Sequence, residues 1–303
     1  MSRPPTGQHA RAWALVCAIG SFWMLLAGCT GEVGFGEPEA EPLFLVPGVV
    51  EAEGAQSVEG EEERWEAPIQ VIAGRIVSGG DMVLGGGPTT AAEDTDVRFA
   101  STAGIKSALY RWPEGIVRYH FHGSMGSTAR TMVRAVMDEL QSKTGRGVLF
   151  RVKQADTADW VEIKRDEAGC WAHLGRTGGK QVVNLGKGCR TKGVIRHELG
   201  HTLGLIHEHQ RMMRDDHVKV LWANIPADRH AQFKKWNVTY GDTPLASTGL
   251  SPYDLKSIMH YSSWTFAYPG KRSLRKRNGD SIPDQTAYSV RDIAGLKKYY
   301  PPR

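Results

Sequence analysis

The sequence predicts an α+β domain of two lobes with a cleft between them, filling the last two-thirds of the chain. Three observations lead there. An amphipathic helical pattern over residues 127–144 is followed by short runs of strand character. A second helical stretch carries histidines one turn apart. After it the chain is long and irregular. Hydrophobic residues make up 41% and charged residues 23% of the 303, which excludes wholesale disorder, collagen-like repeats and a multi-span membrane protein.

The formal charge of +5 hides a split. Residues 32–66 hold eleven Glu and one Arg, residues 67–102 are net −2, and residues 103–303 carry 33 basic against 18 acidic groups, a net +15. An acidic front and a basic body point to processing or internal masking as much as to a partner.

A short polar stretch with Arg3 and Arg11 precedes an apolar run from Ala12 to Ala27. The run is too short and wrongly flanked to span a bilayer, and residues 1–28 read as an export signal. It ends in Leu26-Ala27-Gly28-Cys29, which resembles the lipobox of bacterial lipoproteins, where the cysteine is lipidated and becomes the new terminus. An ordinary signal with Cys29 incidental is the alternative. Residues 29–66 read as an acidic disordered tether, because they cannot bury enough apolar surface to offset ordering. Residues 67–102 hold more Val, Ile and Gly but read as an irregular pro-segment or linker.

Within residues 103–303, Ser127 is a candidate N-cap, and Met132, Val133, Val136, Met137 and Leu140 share one helical face. Val148–Val152, Trp160–Lys164 and Gln181–Leu185 read as strands. Cys170 and Cys189 are the two cysteines left in the body. In an oxidising compartment they pair, closing a loop of about 20 residues; two free buried thiols are the rival reading.

The decisive run is His197-Glu198-Leu199-Gly200-His201-Thr202-Leu203-Gly204-Leu205-Ile206-His207. On a helix His197 and His201 lie on one face, so both imidazoles reach one Zn²⁺. Gly204 allows a positive φ that turns the chain back, and His207 then supplies a third ligand. Three neutral donors leave a position open, the mark of a catalytic site. Glu198 stands where its carboxylate faces that position. Bare H-E-x-x-H is a weak signal; the extended H-E-x-x-H-x-x-G-x-x-H is the metzincin string. Downstream, Ser257-Ile258-Met259-His260-Tyr261 supplies a methionine turn as an apolar floor and a tyrosine able to reach the metal.

With these residues the body resembles the astacin family of zinc metallopeptidases over about residues 103–300. Tyr110–Val117 is similar to the family's first mature strand, Gly169–Arg176 with Gly188-Cys189 to its shorter disulfide loop, and His207-Glu208 to the continuation of its zinc motif. Arg214-Asp215-Asp216, Ser251–Asp254 and Ser289-x-x-Asp292 match further blocks. The resemblance implies a metzincin-type fold with a twisted mixed sheet, a zinc-binding helix and an irregular C-terminal lobe. It implies one catalytic zinc on His197, His201 and His207, with Tyr261 as an additional ligand that swings away to stabilise the transition state. It implies that Glu208 receives the amine of a terminus near Ala103. The family's pro-segments block zinc with Asp in a Phe-x-Gly-Asp motif; Asp81 is the latency candidate, although Ser78 stands in place of Phe. The family's second disulfide has no counterpart, since neither the region of Gly145 nor the C-terminus holds a cysteine. Trp171 is either a cleft wall or core.

The expected protein is an exported zinc endopeptidase, monomeric, acting on proteins or peptides with Glu198 as base and acid. It is a cell-envelope lipoprotein, outer-membrane in a Gram-negative host, or is released by cutting near Ala103. A latent surface binding module and a metzincin of another family are the rivals. The basic run Lys271-Arg272 and Arg275-Lys276-Arg277 is a solvated loop or attracts acidic peptides; nucleic acid is not expected, since no aromatic residues interleave the charges. His120, His122, His173, His209, His217, His230 and His260 are expected to be structural or solvent-facing.

Overall fold

The structure is a computed structural model describing residues 49–50, 69–72, 75–78, 80–85, 111–235 and 252–303. The export signal, Cys29, nearly all of the acidic stretch and Ala103 lie outside the described residues.

Four short strands precede the body: β1 (Val49–Val50), β2 (Ile69–Ile72), β3 (Arg75–Ser78) and β4 (Met82–Gly85). Each is antiparallel to the one before. The expectation of irregular chain over 67–102 fails for these residues. Ile-Gln-Val-Ile, Arg-Ile-Val-Ser and Met-Val-Leu-Gly are β-formers separated by glycine turns. They gain a ladder because the body offers a sheet edge, a partner no local pattern reveals.

The body begins with a one-turn 3-10 segment, Pro113–Gly115, in which Glu114 (φ 52°) and Gly115 (φ 63°) bend the chain. The first body strand is therefore β5 (Ile116–Phe121), later than Tyr110–Val117, because Pro113 brings no N–H to a ladder. Helix α1 (Ser127–Lys143) follows, capped by Gly126 in extended backbone, so Ser127 is already helical and not the cap. Its buried face is Val133, Val136, Met137 and Leu140, as the period predicts. Then come β6 (Leu149–Val152), β7 (Trp160–Lys164), β8 (Cys170–His173) and β9 (Lys180–Leu185). Strand β7 alternates in sequence but not in burial: Val161, Glu162 and Ile163 are all buried, because β7 lies inside the sheet and Lys180 neutralises Glu162 at 2.7 Å.

Among the described residues the strands form one sheet in the order β1-β2-β3-β4-β8-β9-β7-β5-β6. β5, β6, β7 and β9 are mutually parallel, β8 is antiparallel to β9, and β4 joins β8 in parallel. The body's edge strand is thus β8, and β4 covers it. Helix α2 (Lys192–Thr202) packs on this sheet with α1. Cys170, opening β8, is bonded to Cys189, just before α2, with Cα atoms 5.8 Å apart, which disposes of the free-thiol reading.

The C-terminal lobe consists of 3-10 turns (Glu208–Gln210, Met212–Asp216, Trp222–Asn224, Ala227–Phe233), a two-stranded ribbon of β10 (Val218–Val220) and β11 (Leu274–Lys276), and helix α3 (Val290–Tyr299). It has its own core around Val218, Ile225, Phe233, Leu274 and Ile282. Where the second disulfide is missing, backbone packs directly on backbone. Arg303 N–H donates to the Gly145 carbonyl at 3.1 Å, and a Cβ on Gly147 would lie 2.0 Å from the Tyr300 carbonyl oxygen.

Candidate metal centre

Thr191 starts α2 by accepting a hydrogen bond from Val194 N–H at 3.2 Å. The helix buries Glu198, Leu199, Gly200, His201 and Thr202, so its last turn points inward. It ends as its glycine predicts: Gly204 takes φ +96° and Leu205 N–H returns to the Gly200 carbonyl at 3.0 Å. This reversal carries His207 back beside His197 and His201. Sequence reasoning anticipated that path in full.

Each imidazole is pinned through Nδ1 to an acceptor: His197 to the Ile258 carbonyl (2.9 Å), His201 to the Leu205 carbonyl (2.7 Å) and His207 to Gln210 Oε1 (3.3 Å). A carbonyl oxygen only accepts, so Nδ1 carries the proton and Nε2 presents a bare lone pair. The three Nε2 atoms nonetheless converge, His201 and His207 standing 3.0 and 3.1 Å from His197. Asp81 adds a carboxylate, with Oδ2 3.2 Å from His197 Nε2 and Oδ1 3.2 Å from His207 Nε2 and 3.5 Å from His201 Nε2. Four such donors repel one another unless a proton or a metal cation sits among them; burial lowers the His197 pKa, but its hydrogen bond with Asp81 outweighs that and raises it above the ordinary value. Zinc at ~2.0–2.1 Å in a tetrahedral set would space its ligands by about 3.3–3.4 Å, close to the observed spread. The donors therefore fit one zinc ion, and they form the metal-capable group found among the described residues.

Burial pushes the Asp81 carboxyl up, but the facing His207 and His201 outweigh it and hold the group well below the usual carboxylate range. Burial pushes His201 down to about 4, which keeps its imidazole neutral and ligand-ready. Glu198 lies beside this cluster, wholly buried, with neither oxygen hydrogen-bonded. Burial, then the charge of Asp81, raises its pKa well above the ordinary value. Tyr261 is buried with its ring centroid 4.7 Å from that of His207, and burial followed by Asp81 and Glu198 keeps its phenol protonated.

The floor of the site is built by residues that sequence reasoning assigned only in part. Met259 is buried directly under α2: a Cβ at Gly200 would stand 2.8 Å from Met259 Sδ. The turn carrying Met259 hangs from Asp292, whose carboxylate accepts Ser257 Oγ–H (2.7 Å) and Ile258 N–H (2.9 Å) while closing the capping box of α3 with Ser289. Since Ile258 offers the carbonyl that orients His197, Asp292 acts on the cluster through two hydrogen bonds. The Ser289-x-x-Asp292 pattern announces a helix start, but nothing local announces that the same carboxylate reaches back 34 residues. Gln210 was likewise missed; its place three residues after His207 was its only signal.

The remaining histidines stay outside the cluster. His209 and His260 are buried structurally, His209 stacking on Tyr261 at 3.8 Å and His260 donating from Nδ1 to the Tyr261 carbonyl and accepting from Tyr253 Oη–H at 2.7 Å. Glu208 is buried, bonded to Arg211 (2.5 Å) and to Asp254 N–H (2.7 Å), and burial raises it to about 7. Trp171, on the edge strand, is buried against Val77 and Val83 of the leading strands and beneath the Arg75 guanidinium at 4.3 Å.

A helix–glycine–histidine path with a methionine beneath the imidazoles is the metzincin arrangement. The profile of the family Astacin (Peptidase family M12A) matches residues 104–301, and the chain belongs to that family. It is 38% identical over 197 residues to zinc metalloproteinase nas-15 of Caenorhabditis elegans, covering 65% of this chain and 33% of the relative. It is 34% identical over 198 residues to nas-4 of the same organism, covering 65% and 61%. Among solved structures, high choriolytic enzyme 1, a hatching enzyme zinc-protease of the medaka Oryzias latipes, matches with a TM-score of 0.56 and 27% identity over 64% of this chain and 94% of that one. The chain thus matches only part of the length of these curated relatives.

Proposed function

We propose that the chain is an exported zinc endopeptidase, held latent by Asp81 until the residues ahead of the catalytic domain are cut away near Ala103. One observation carries the reading. A fully buried carboxylate without hydrogen-bond partners, Glu198, lies next to three imidazoles whose bare nitrogens meet at one point. When bound there, zinc supplies Lewis acidity. His197, His201 and His207 hold it, each oriented by its Nδ1 partner. Glu198 takes the proton of the attacking water and delivers it to the leaving amine. Tyr261 keeps its proton in this buried setting and donates to the oxyanion of the scissile carbonyl.

Latency is supported by two contacts. Asp81 fills the fourth position of the cluster, and β4 occupies the edge of β8, where Ala172 N–H bonds to the Asp81 carbonyl at 2.9 Å and Leu174 N–H to the Val83 carbonyl at 2.9 Å. That edge is where a substrate strand would add. Glu208, buried next to His207, is the group proposed to receive the new amine. The lipoprotein reading rests on Leu26-Ala27-Gly28-Cys29. Mass spectrometry of the N-terminus of active material tests lipidation and the Ala103 boundary together.

Glu198→Gln is expected to fold and to hold one zinc per chain, while casein hydrolysis by the trimmed protein drops roughly 10²–10⁴-fold. Retention of more than a few per cent of the activity would refute the assignment of the base. A trimmed, zinc-loaded parent that cleaves nothing would favour the latent binding module instead.

A further inference from the structure

The basic run at the end of the chain was left open by its sequence, and the fold gives it neighbours. Tyr268 N–H donates to the Asn224 carbonyl at 2.9 Å, and Asn224 Nδ2 donates to the Arg272 carbonyl at 2.8 Å. These bonds fasten the turn holding Trp222 to the loop holding Trp264, Tyr268, Lys271 and Arg272. Three aromatic side chains on this face stand in solvent, Trp222 at 40%, Trp264 at 50% and Tyr268 at 48% exposure. Lys271 N–H donates to the Tyr268 carbonyl at 2.9 Å, so Lys271 and Arg272 follow directly on the aromatic turn, and Arg272 Nη1 and Arg275 Nη1 both stand beside Gly279. None of Lys271, Arg272 and Arg275 has an ion-pair partner among the described residues. Of the acids nearest in sequence, Asp280 accepts from Asn278 Nδ2 at 2.8 Å and Asp284 is exposed, and neither is ion-paired to these cations among the described residues.

We propose that this face of the C-terminal lobe docks on an anionic lipid bilayer. Trp and Tyr are the side chains that settle at a membrane–water boundary, with the ring in the headgroup region and the polar edge wet. Lys271, Arg272 and Arg275, without ion-pair partners among the described residues, gain from an anionic surface, which a zwitterionic one does not supply. The aromatic groups are about half exposed on turns of the lobe, a placement that suits a broad surface better than an inserted peptide chain. The surface lies close to the metal centre, since Phe266 of the same loop packs on Tyr261 with ring centroids 5.8 Å apart. Docking would therefore present the cleft to proteins held at that membrane. The proposal stands without lipidation of Cys29 and without catalytic activity.

The test is vesicle co-sedimentation of the full chain carrying Cys29→Ser, so that no acyl anchor forms. Phosphatidylcholine vesicles are compared with vesicles containing about one-third phosphatidylglycerol, at low and high salt. Tighter binding to the anionic vesicles, weakened by salt, is expected. Binding through the N-terminal apolar run and its Arg3 and Arg11 is common to all variants and cancels in the comparison between them. Lys271→Glu with Arg272→Glu should weaken the anionic component by at least about 25-fold, roughly fivefold per cation lost. Trp264→Ser with Tyr268→Ser should weaken it as well. Lys297→Glu with Lys298→Glu, exposed on α3, makes the same change of net charge elsewhere and should alter it less than twofold. Single Lys271→Glu replaces the pair if the pair does not fold, as judged by melting temperature and zinc content. Equal binding to both vesicles, equal effects of the two charge reversals, or stronger binding to polyglutamate than to anionic vesicles would overturn the proposal. Because binding is read without substrate, failure of the peptidase reading and failure of this one give different results.

Discussion

Gly200 shows how much one absent carbon decides. It sits between the two helical histidines, where a Cβ would meet Met259 Sδ at 2.8 Å and Leu205 Cδ1 at 3.5 Å. Gly200→Ala gains about 1 kcal/mol of helix propensity. It loses about 1–3 kcal/mol by overpacking a core whose Met259 is already buried. Overpacking is expected to win, lowering the melting temperature of the apo-protein and the affinity for zinc, because Met259 can yield only by moving the floor beneath the imidazoles. Calorimetry with and without a chelator measures both. An apo-protein as stable as the parent with unchanged zinc affinity would show that Met259 repacks freely. The two α2 histidines that meet in the metal-capable cluster were legible from their spacing. Asp292 and the Ile258 carbonyl were not, because a partner 34 residues away is set by how the lobes pack and leaves no periodic trace.

At the scale of elements, the leading strands couple latency to the burial of one aromatic residue. Trp171 lies on β8 and is covered by Val77, Val83 and the Arg75 side chain, all ahead of the proposed cut. Removing residues 1–102 is expected to expose its indole. Trimming also removes Trp13, Trp23 and Trp65, so the Trp171 signal is read as the difference between trimmed parent and trimmed Trp171→Phe, which should be red and accessible to iodide. A blue, iodide-protected difference would mean that β8 is covered by something else once the strands have gone. The strands were missed from sequence because each is only four residues long, and short runs become strands only against an existing edge. The longer α1 was legible almost to the residue because 17 positions repeat one period.

At the scale of the whole molecule, a disulfide and a close backbone junction tie distant parts of the described residues together. The Cys170–Cys189 bond closes a loop with a sequence separation of 19. Replacing both cysteines by Ala should cost about 3 kcal/mol in the chain-entropy model and lower the melting temperature by about 6–12 °C. Loss of less than a degree would mean that β8 holds its place through its ladders with β4 and β9. The other junction, where Gly145 and Gly147 meet residues 300–303, needs glycine because a side chain would occupy the space of the Tyr300 carbonyl. No pattern of hydrophobicity encodes that contact.

The sequence by itself determined the metal-binding helix, its glycine exit, the third histidine, the methionine turn and the amphipathic face of α1. All of these depend on spacing within one turn or one short segment, where covalent geometry leaves few options. The tertiary structure alone decided that β4 covers the edge of β8 and that Asp292 supports the turn under the imidazoles, and it brought Asp81, in sequence only a candidate, to the three of them. Those contacts join residues far apart in the chain, and they are selected by the burial and hydrogen bonding of the folded whole.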